Sequence, residues 1–115
     1  MHSMQRTYKP NLVHLQRTEI GINFMVQKNL SMSLAGEIGE LLEIFQWLTE
    51  SASQRESLND ETLQAISEEL ADIQIYTLRL ADKLNIDLET AVGSKMEKNG
   101  LRYSVEKSKG NAIKC

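Results

Sequence analysis

The sequence predicts an all-α protein, a four-helix bundle-like single domain, and three observations predict it. One proline, Pro10, and six glycines occur in 115 residues, so the residues that sheet turns and helix ends collect are scarce. Apolar side chains recur at helical spacing along the two central segments. Hydrophobic residues at 41% against charged residues at 25% give the balance of a folded globule rather than a disordered chain. At this length one core is expected. The domain is therefore 1–115, with its body at about 10–103 and a tail, 104–115, expected to be mobile or to serve as an arm between copies.

Four helices follow in order. The first is expected over about Asn11–Gln27, with Leu12, Leu15, Ile20, Phe24 and Met25 apolar. The second is expected to start at Ser31 as N-cap and reach about Glu50. Ser51–Asn59 is polar and reads as a loop. The third starts at Asn59 or Asp60, both good caps, and runs to about Leu84. Asp87 caps the fourth, and Gly100 is expected to end it as a C′ glycine.

Charge is segregated along this order. The net charge of −3 divides into +3 over residues 1–28, −9 over 29–78 and +3 over 79–115. No apolar run is long enough to span a bilayer, and the N-terminus, with Arg6 and Lys9 but no apolar stretch behind them, does not read as a secretory signal. The single cysteine, Cys115, excludes a disulfide framework within the chain, so a reducing cytoplasm is the expected compartment. His2 and His14 lie far from the acidic segment, which argues against a zinc site. Nucleic acid is a poor partner, since the acidic centre would repel a phosphate backbone and the basic tail lacks interleaved aromatics beyond Tyr103.

At about 100° per residue, the second helix gathers Leu34, Ile38, Leu41, Leu42, Ile44, Phe45 and Leu48 into one broad apolar sector. Glu37 falls inside that sector and Glu40 at its edge near Trp47. On the third helix Leu63, Ile66, Leu70, Ile73, Leu80 and Leu84 form the stripe. Glu69 borders it beside Tyr76, and Asp72 lies one step further out. Glu37 with Glu40, and Glu69 with Asp72, are three apart and thus neighbours of like charge. If the two apolar faces meet, four carboxylates converge, and a hard divalent cation with oxygen ligands, Mg²⁺ or Mn²⁺, relieves their repulsion. The plainer alternative is two pairs of solvated surface acids. A di-iron bundle would require Glu-x-x-His motifs, and no histidine is near.

Three words of the sequence carry a resemblance. They are Gly-Glu-Ile-Gly-Glu-Leu-Leu-Glu-Ile-Phe-Gln-Trp (36–47), Glu-Glu-Leu-Ala-Asp-Ile (68–73) and Lys-Met-Glu-Lys-Asn-Gly-Leu-Arg-Tyr (95–103). With Glu37-x-x-Glu40, twenty-eight intervening residues and Glu69-x-x-Asp72, residues 24–107 resemble the all-α nucleoside triphosphate pyrophosphohydrolases, the MazG-like superfamily, in its single-domain dCTP pyrophosphatase branch. The resemblance implies Mg²⁺-dependent hydrolysis of a nucleoside triphosphate to monophosphate and pyrophosphate, by a dimer or dimer of dimers. It makes Glu37, Glu40, Glu69 and Asp72 the metal ligands, one of which orients or deprotonates the attacking water. Trp47 becomes a base-stacking wall and Phe24 a weaker candidate for the opposite wall. Tyr76 and Asn99 would meet sugar or phosphate, while Lys95 and Arg102, with Lys98 and Tyr103 as lesser candidates, would grip the triphosphate. One departure stands out: the first helix has Gly21 where this family would place a tryptophan. The competing reading is a helical oligomerisation or adaptor module whose acidic face meets a basic partner, without metal.

Overall fold

The computed structural model describes residues 4–18 and 26–108, with side chains described for 4–12 and 26–101. It is all-helical there: α1 (Met4–Thr18), α2 (Gln27–Phe45), a 3₁₀ turn (Arg55–Ser57), α3 (Asp60–Lys83) and α4 (Leu88–Ser108). The expected helices are present, with ends that differ for identifiable reasons.

Helix α1 starts about two turns before the expected Asn11 and continues through Pro10, although proline donates no amide hydrogen bond. Two anchors hold this early start. Leu12 is buried, and the Gln5 side chain grips the turn between α3 and α4, donating from Nε2 to the Ile86 carbonyl (2.7 Å) and accepting at Oε1 from the Leu88 amide (2.7 Å). Residues 19–25, where the rest of the expected first helix and Phe24 fall, lie outside the described residues.

Ser31 is not an N-cap. It sits inside the first turns of α2, where its hydroxyl donates back to the Lys28 carbonyl (2.7 Å). The helix starts earlier because Leu30 is fully buried, so packing sets the first turn where no side chain caps it. Nor does α2 reach Glu50. It ends at Phe45 with Gln46 as C-cap, and a new turn forms in which the Thr49 hydroxyl accepts from the Ala52 amide (3.1 Å).

Helix α3 follows expectation closely. Asn59 caps it by accepting the Thr62 amide at Oδ1 (2.7 Å), and Asp60 and Glu61 at its start with Lys83 in its last turn suit the helix dipole. Its C-terminus is a Schellman motif: Asn85 takes a left-handed conformation (φ 55°), the Ile86 amide donates to the Ala81 carbonyl (2.9 Å) and the Asn85 amide to the Asp82 carbonyl (3.2 Å). Asp87 then caps α4 by accepting from the Thr90 amide (3.4 Å) and hydroxyl (3.1 Å). Gly100 does not end this helix, which continues through it to Ser108. The expected tail therefore begins as helix, and residues 109–115 lie outside the described residues.

Among the described residues the dominant packing is α2 along α3, with α1 lying more lightly on α3 and α4 touching the others only marginally. Buried residues gather at the start of α2 (Leu30) and the end of α3 (Leu78, Arg79, Ala81), as in an antiparallel hairpin, with Leu12 of α1 added. Two expectations about the core change. The seam on α3 is rotated so that Glu69 turns inward and Leu70 is exposed. Leu84, Ile38 and Leu42 also remain exposed, so α2 offers a wider apolar sector than one neighbour covers. The radius of gyration is 17.7 Å, against about 13 Å for a compact chain of this length.

Candidate metal centre

Glu37 and Glu40 stand one turn apart near the middle of α2, where α3 brings Glu69 against them. One carboxylate oxygen from each of these three lies within 4.8 Å of the others. Glu37 and Glu69 are half-buried and Glu40 is exposed, so the cluster opens to solvent on one side. Oε1 of Glu37 and Oε1 of Glu69 are each buried without a hydrogen-bond partner, a costly condition for a carboxylate. Asp72 is not among the three that converge, yet its charge acts on both Glu37 and Glu69.

These surroundings change the acidity of the site. Burial, then contact with the Glu40 and Glu69 carboxyls, then the charges of Glu40 and Asp72 push the Glu37 carboxyl from 4.5 up to about 7. Glu69 is also raised, by burial first and by Glu40 and Asp72, with its contact to Glu37 working in the opposite direction. Among the described residues, the charged groups acting on these two are all carboxylates. Such a set holds a proton near neutrality and exchanges it readily for a cation. Three converging oxygen donors, two with buried unpartnered atoms, fit a hard divalent ion.

The remaining expected site residues are less gathered. Tyr76 is half-buried on α3, one turn beyond Asp72. Trp47 lies in the turn after α2 rather than on the helix, and at 87% exposure it stands almost wholly in solvent. Lys95 and Lys98 are exposed on α4 and Asn99 is half-buried there. Because α4 barely touches α2 or α3, the described residues of one chain do not bring these groups to the carboxylates. The side chains of Arg102 and Tyr103, like Phe24, lie outside the described residues. An apolar cleft of about 510 Å³ runs between α1 and α3, lined by Tyr8, Asn11, Ala71, Ile75 and Leu78, and it contains none of the clustered acids. Sequence reading missed Arg79, a charged residue on the inner side of α3. Its spacing of seven residues from Asp72 was the signal that could have exposed it.

An antiparallel helical pair bearing an inward set of carboxylates defines an all-α protein with a metal-type acidic centre. The chain belongs to the MazG-like family, whose profile matches residues 32–115. It is similar to dCTP pyrophosphatase 1 of Rattus norvegicus, 41% identical over 91 residues that cover 79% of this chain and 54% of the relative. Against the Homo sapiens protein of the same name identity is 37% over the same shares. The chain thus spans about half the length of the curated relatives it matches. Among solved structures, a pyrophosphatase of Archaeoglobus fulgidus DSM 4304 superposes with a TM-score of 0.76 at 35% identity, covering 90% of this chain and 94% of that one. Among the described residues no helix is long and apolar enough to cross a membrane.

Proposed function

We propose that this chain is a divalent-metal-dependent nucleoside triphosphate pyrophosphohydrolase that converts a deoxynucleoside triphosphate, dCTP or a related or modified form, to monophosphate and pyrophosphate. The observation that carries the reading is the convergence of Glu37, Glu40 and Glu69 with two buried, unpartnered carboxylate oxygens. The names of its relatives support the substrate class. Glu37, Glu40 and Glu69 would hold Mg²⁺, with Mn²⁺ as substitute, and Asp72 would complete the set. Bound there, the ion supplies charge neutralisation for the phosphate oxygens and Lewis-acid polarisation.

The chain's own groups do the rest. A water oxygen bonds to the α-phosphorus, the bond from that phosphorus to the bridging oxygen of the β-phosphate breaks, and pyrophosphate leaves. The water's proton passes to the carboxylate set, which titrates as a unit, so the role belongs to the set rather than to one member. Trp47 would stack on the base, Tyr76 and Asn99 would meet the sugar or phosphates, and Lys95, Lys98, Arg102 and Tyr103 would bind the triphosphate. Among the described residues of one chain, Lys95 and Lys98 are exposed on α4 and are not gathered with the carboxylates. The assembled enzyme would be a homodimer or dimer of dimers, a reading supported by the exposed Ile38, Leu42, Leu70 and Met96 and by the radius of gyration. Pool control or house-cleaning in the cytoplasm belongs to the same reading.

The test is a nucleotide panel incubated with Mg²⁺ or Mn²⁺ and resolved by product. Monophosphate with pyrophosphate is the expected outcome; no metal-dependent turnover of any triphosphate would reject the enzyme and favour a helical adaptor. Sedimentation showing only monomer at micromolar concentration would reject the assembly.

A further inference from the structure

Helix α4 begins with two different caps. Asp87, its own N-cap, accepts from the Thr90 amide (3.4 Å) and hydroxyl (3.1 Å), and it travels with the helix in whatever direction the helix takes. The amide of Leu88, the first residue of α4, donates instead to Oε1 of Gln5 (2.7 Å), a side chain of α1. Nε2 of the same carboxamide donates to the Ile86 carbonyl (2.7 Å). Donor and acceptor of Gln5 therefore both close on the residues where the chain turns into α4, which fixes the plane of the group. Gln5 is anchored in its turn, since Lys9 pairs with Asp82 of α3 (3.5 Å) and Leu12 is buried. Side-chain packing at the same junction is loose by comparison. A cavity of about 350 Å³ lies there, lined by Met4, Gln74, Thr77, Leu88 and Val92, and residues 91–98 are exposed.

We propose that Gln5 is a positioning residue for triphosphate binding: by joining α1 to the first turn of α4 it sets the direction of that helix, and with it the places of Lys95, Lys98 and Asn99. The inference rests on the pyrophosphohydrolase reading and deepens it, since that reading gives these three residues to the nucleotide. The lever is long. At about 1.5 Å per residue Lys95 stands about 10 Å and Lys98 about 15 Å beyond Leu88, so a tilt of about 10° at the first turn carries the Lys98 backbone by about 2.6 Å. That displacement is several times the distance range of a hydrogen bond. Lysine stems follow it only in part, and at a cost in rotamer entropy. Glu37, Glu40 and Glu69 stand on α2 and α3, which such a tilt leaves in place. Gln5 itself touches no substrate.

The experiment compares wild type, Gln5→Met and Gln5→Glu in the full chain. Methionine keeps the length of the side chain and removes both hydrogen bonds, while glutamate keeps an acceptor for the Leu88 amide and loses the donor to Ile86. KM and kcat are measured with Mg²⁺ for the best triphosphate of the panel, below the melting temperature of each variant, and Mg²⁺ affinity is titrated without nucleotide. Gln5→Met raises KM by about three- to tenfold, because phosphate contacts are weakened rather than removed, and kcat moves less than KM. Gln5→Glu gives a smaller rise, and carries the comparison if the methionine variant does not fold. Mg²⁺ affinity keeps its wild-type value in both. Added salt raises the wild-type KM more steeply than that of Gln5→Met, which has already lost part of its charge contact. In the substrate-free protein the Leu88 amide exchanges faster in Gln5→Met than in Gln5→Glu. An active wild type whose KM is unchanged in every folded variant overturns the inference and leaves the enzyme reading standing. So does a rise in KM matched by an equal loss of Mg²⁺ affinity, which would mark Gln5 as a general stabiliser, and so does an unaltered salt dependence. A wild type that hydrolyses no triphosphate overturns both.

Discussion

Replacing Glu37 by glutamine probes the acidic cluster without any substrate. In the folded chain the Glu37 carboxyl is raised from 4.5 to about 7, chiefly by burial and then by its carboxylate neighbours. In the unfolded chain it keeps its ordinary value. Between these two pH values the folded protein holds a proton that the unfolded chain has released. For a raised carboxyl, stability is therefore fullest below the unfolded value and is lost as pH climbs through the folded one. The interval from 4.5 to about 7 corresponds to about 3.4 kcal/mol at face value. The cluster opens to solvent beside Glu40, and screening reduces this to about 1–2 kcal/mol. In chelator the wild type should melt about 4–10 °C lower at pH 8 than at pH 5, at fixed protein concentration. Glu37→Gln should flatten that slope and melt above wild type at pH 8, because it keeps the shape and removes the charge. Adding Mg²⁺ or Mn²⁺ should raise wild type at pH 8 and leave the variant unmoved. Thermal melts followed by circular dichroism read all three. A variant that keeps the wild-type slope, or is the less stable of the two at pH 8 in chelator, would refute the electrostatic account of this site.

Other perturbations reach different levels of the structure. Glu40→Gln and Asp72→Asn should each abolish metal-dependent turnover while leaving helicity intact, and turnover retained in both would reject their assignment as ligands. Gln5→Ala removes both hydrogen bonds that clip α1 to the turn before α4 and should cost about 1–3 kcal/mol by urea unfolding; no measurable loss would show the clip to be unimportant. At Asn85, with φ of 55°, glycine should be neutral or stabilising and valine should destabilise by about 1–2 kcal/mol, so equal melting of the two variants would contradict the left-handed cap.

What could be read from the residues depended on whether local chemistry or packing decides the outcome. Asn59 and Asp87 act as caps because a short polar side chain one step before a helix satisfies amides within its own turn. Ser31 has the same chemistry, but burial of Leu30 places the start of α2 earlier and leaves that serine to bond backward. Gly100 looked like a terminator, yet no left-handed turn forms there and a side chain at that position would meet nothing within 4 Å outside its own helix, so the helix passes through. At the site, the three-residue spacings of Glu37 with Glu40 and of Glu69 with Asp72 were visible as pairs. Which carboxylates converge depends on how α3 is rotated against α2, and that rotation draws Glu69 in while holding Asp72 back. The wheel placed Trp47 seven residues beyond Glu40 as though the helix continued, but α2 stops at Phe45. Gln5 acts through partners set by the fold, across more than eighty residues of chain, and no spacing rule reaches that far.

The exposure of the middle of α4 has a consequence for how assembly can be watched. Residues 91–98 are all exposed, and Gly93 and Gly100 each weaken the helix by roughly 1 kcal/mol relative to alanine. A stretch of helix as exposed as residues 91–98 is held mainly by its own backbone bonds, so its amides should exchange with deuterium much faster than those of α3. Any surface that settles on α4, whether a second copy or a bound triphosphate, must slow that exchange first. This one segment can therefore serve as a clock for the order of events, showing whether the chains associate before the nucleotide arrives or only because it has arrived.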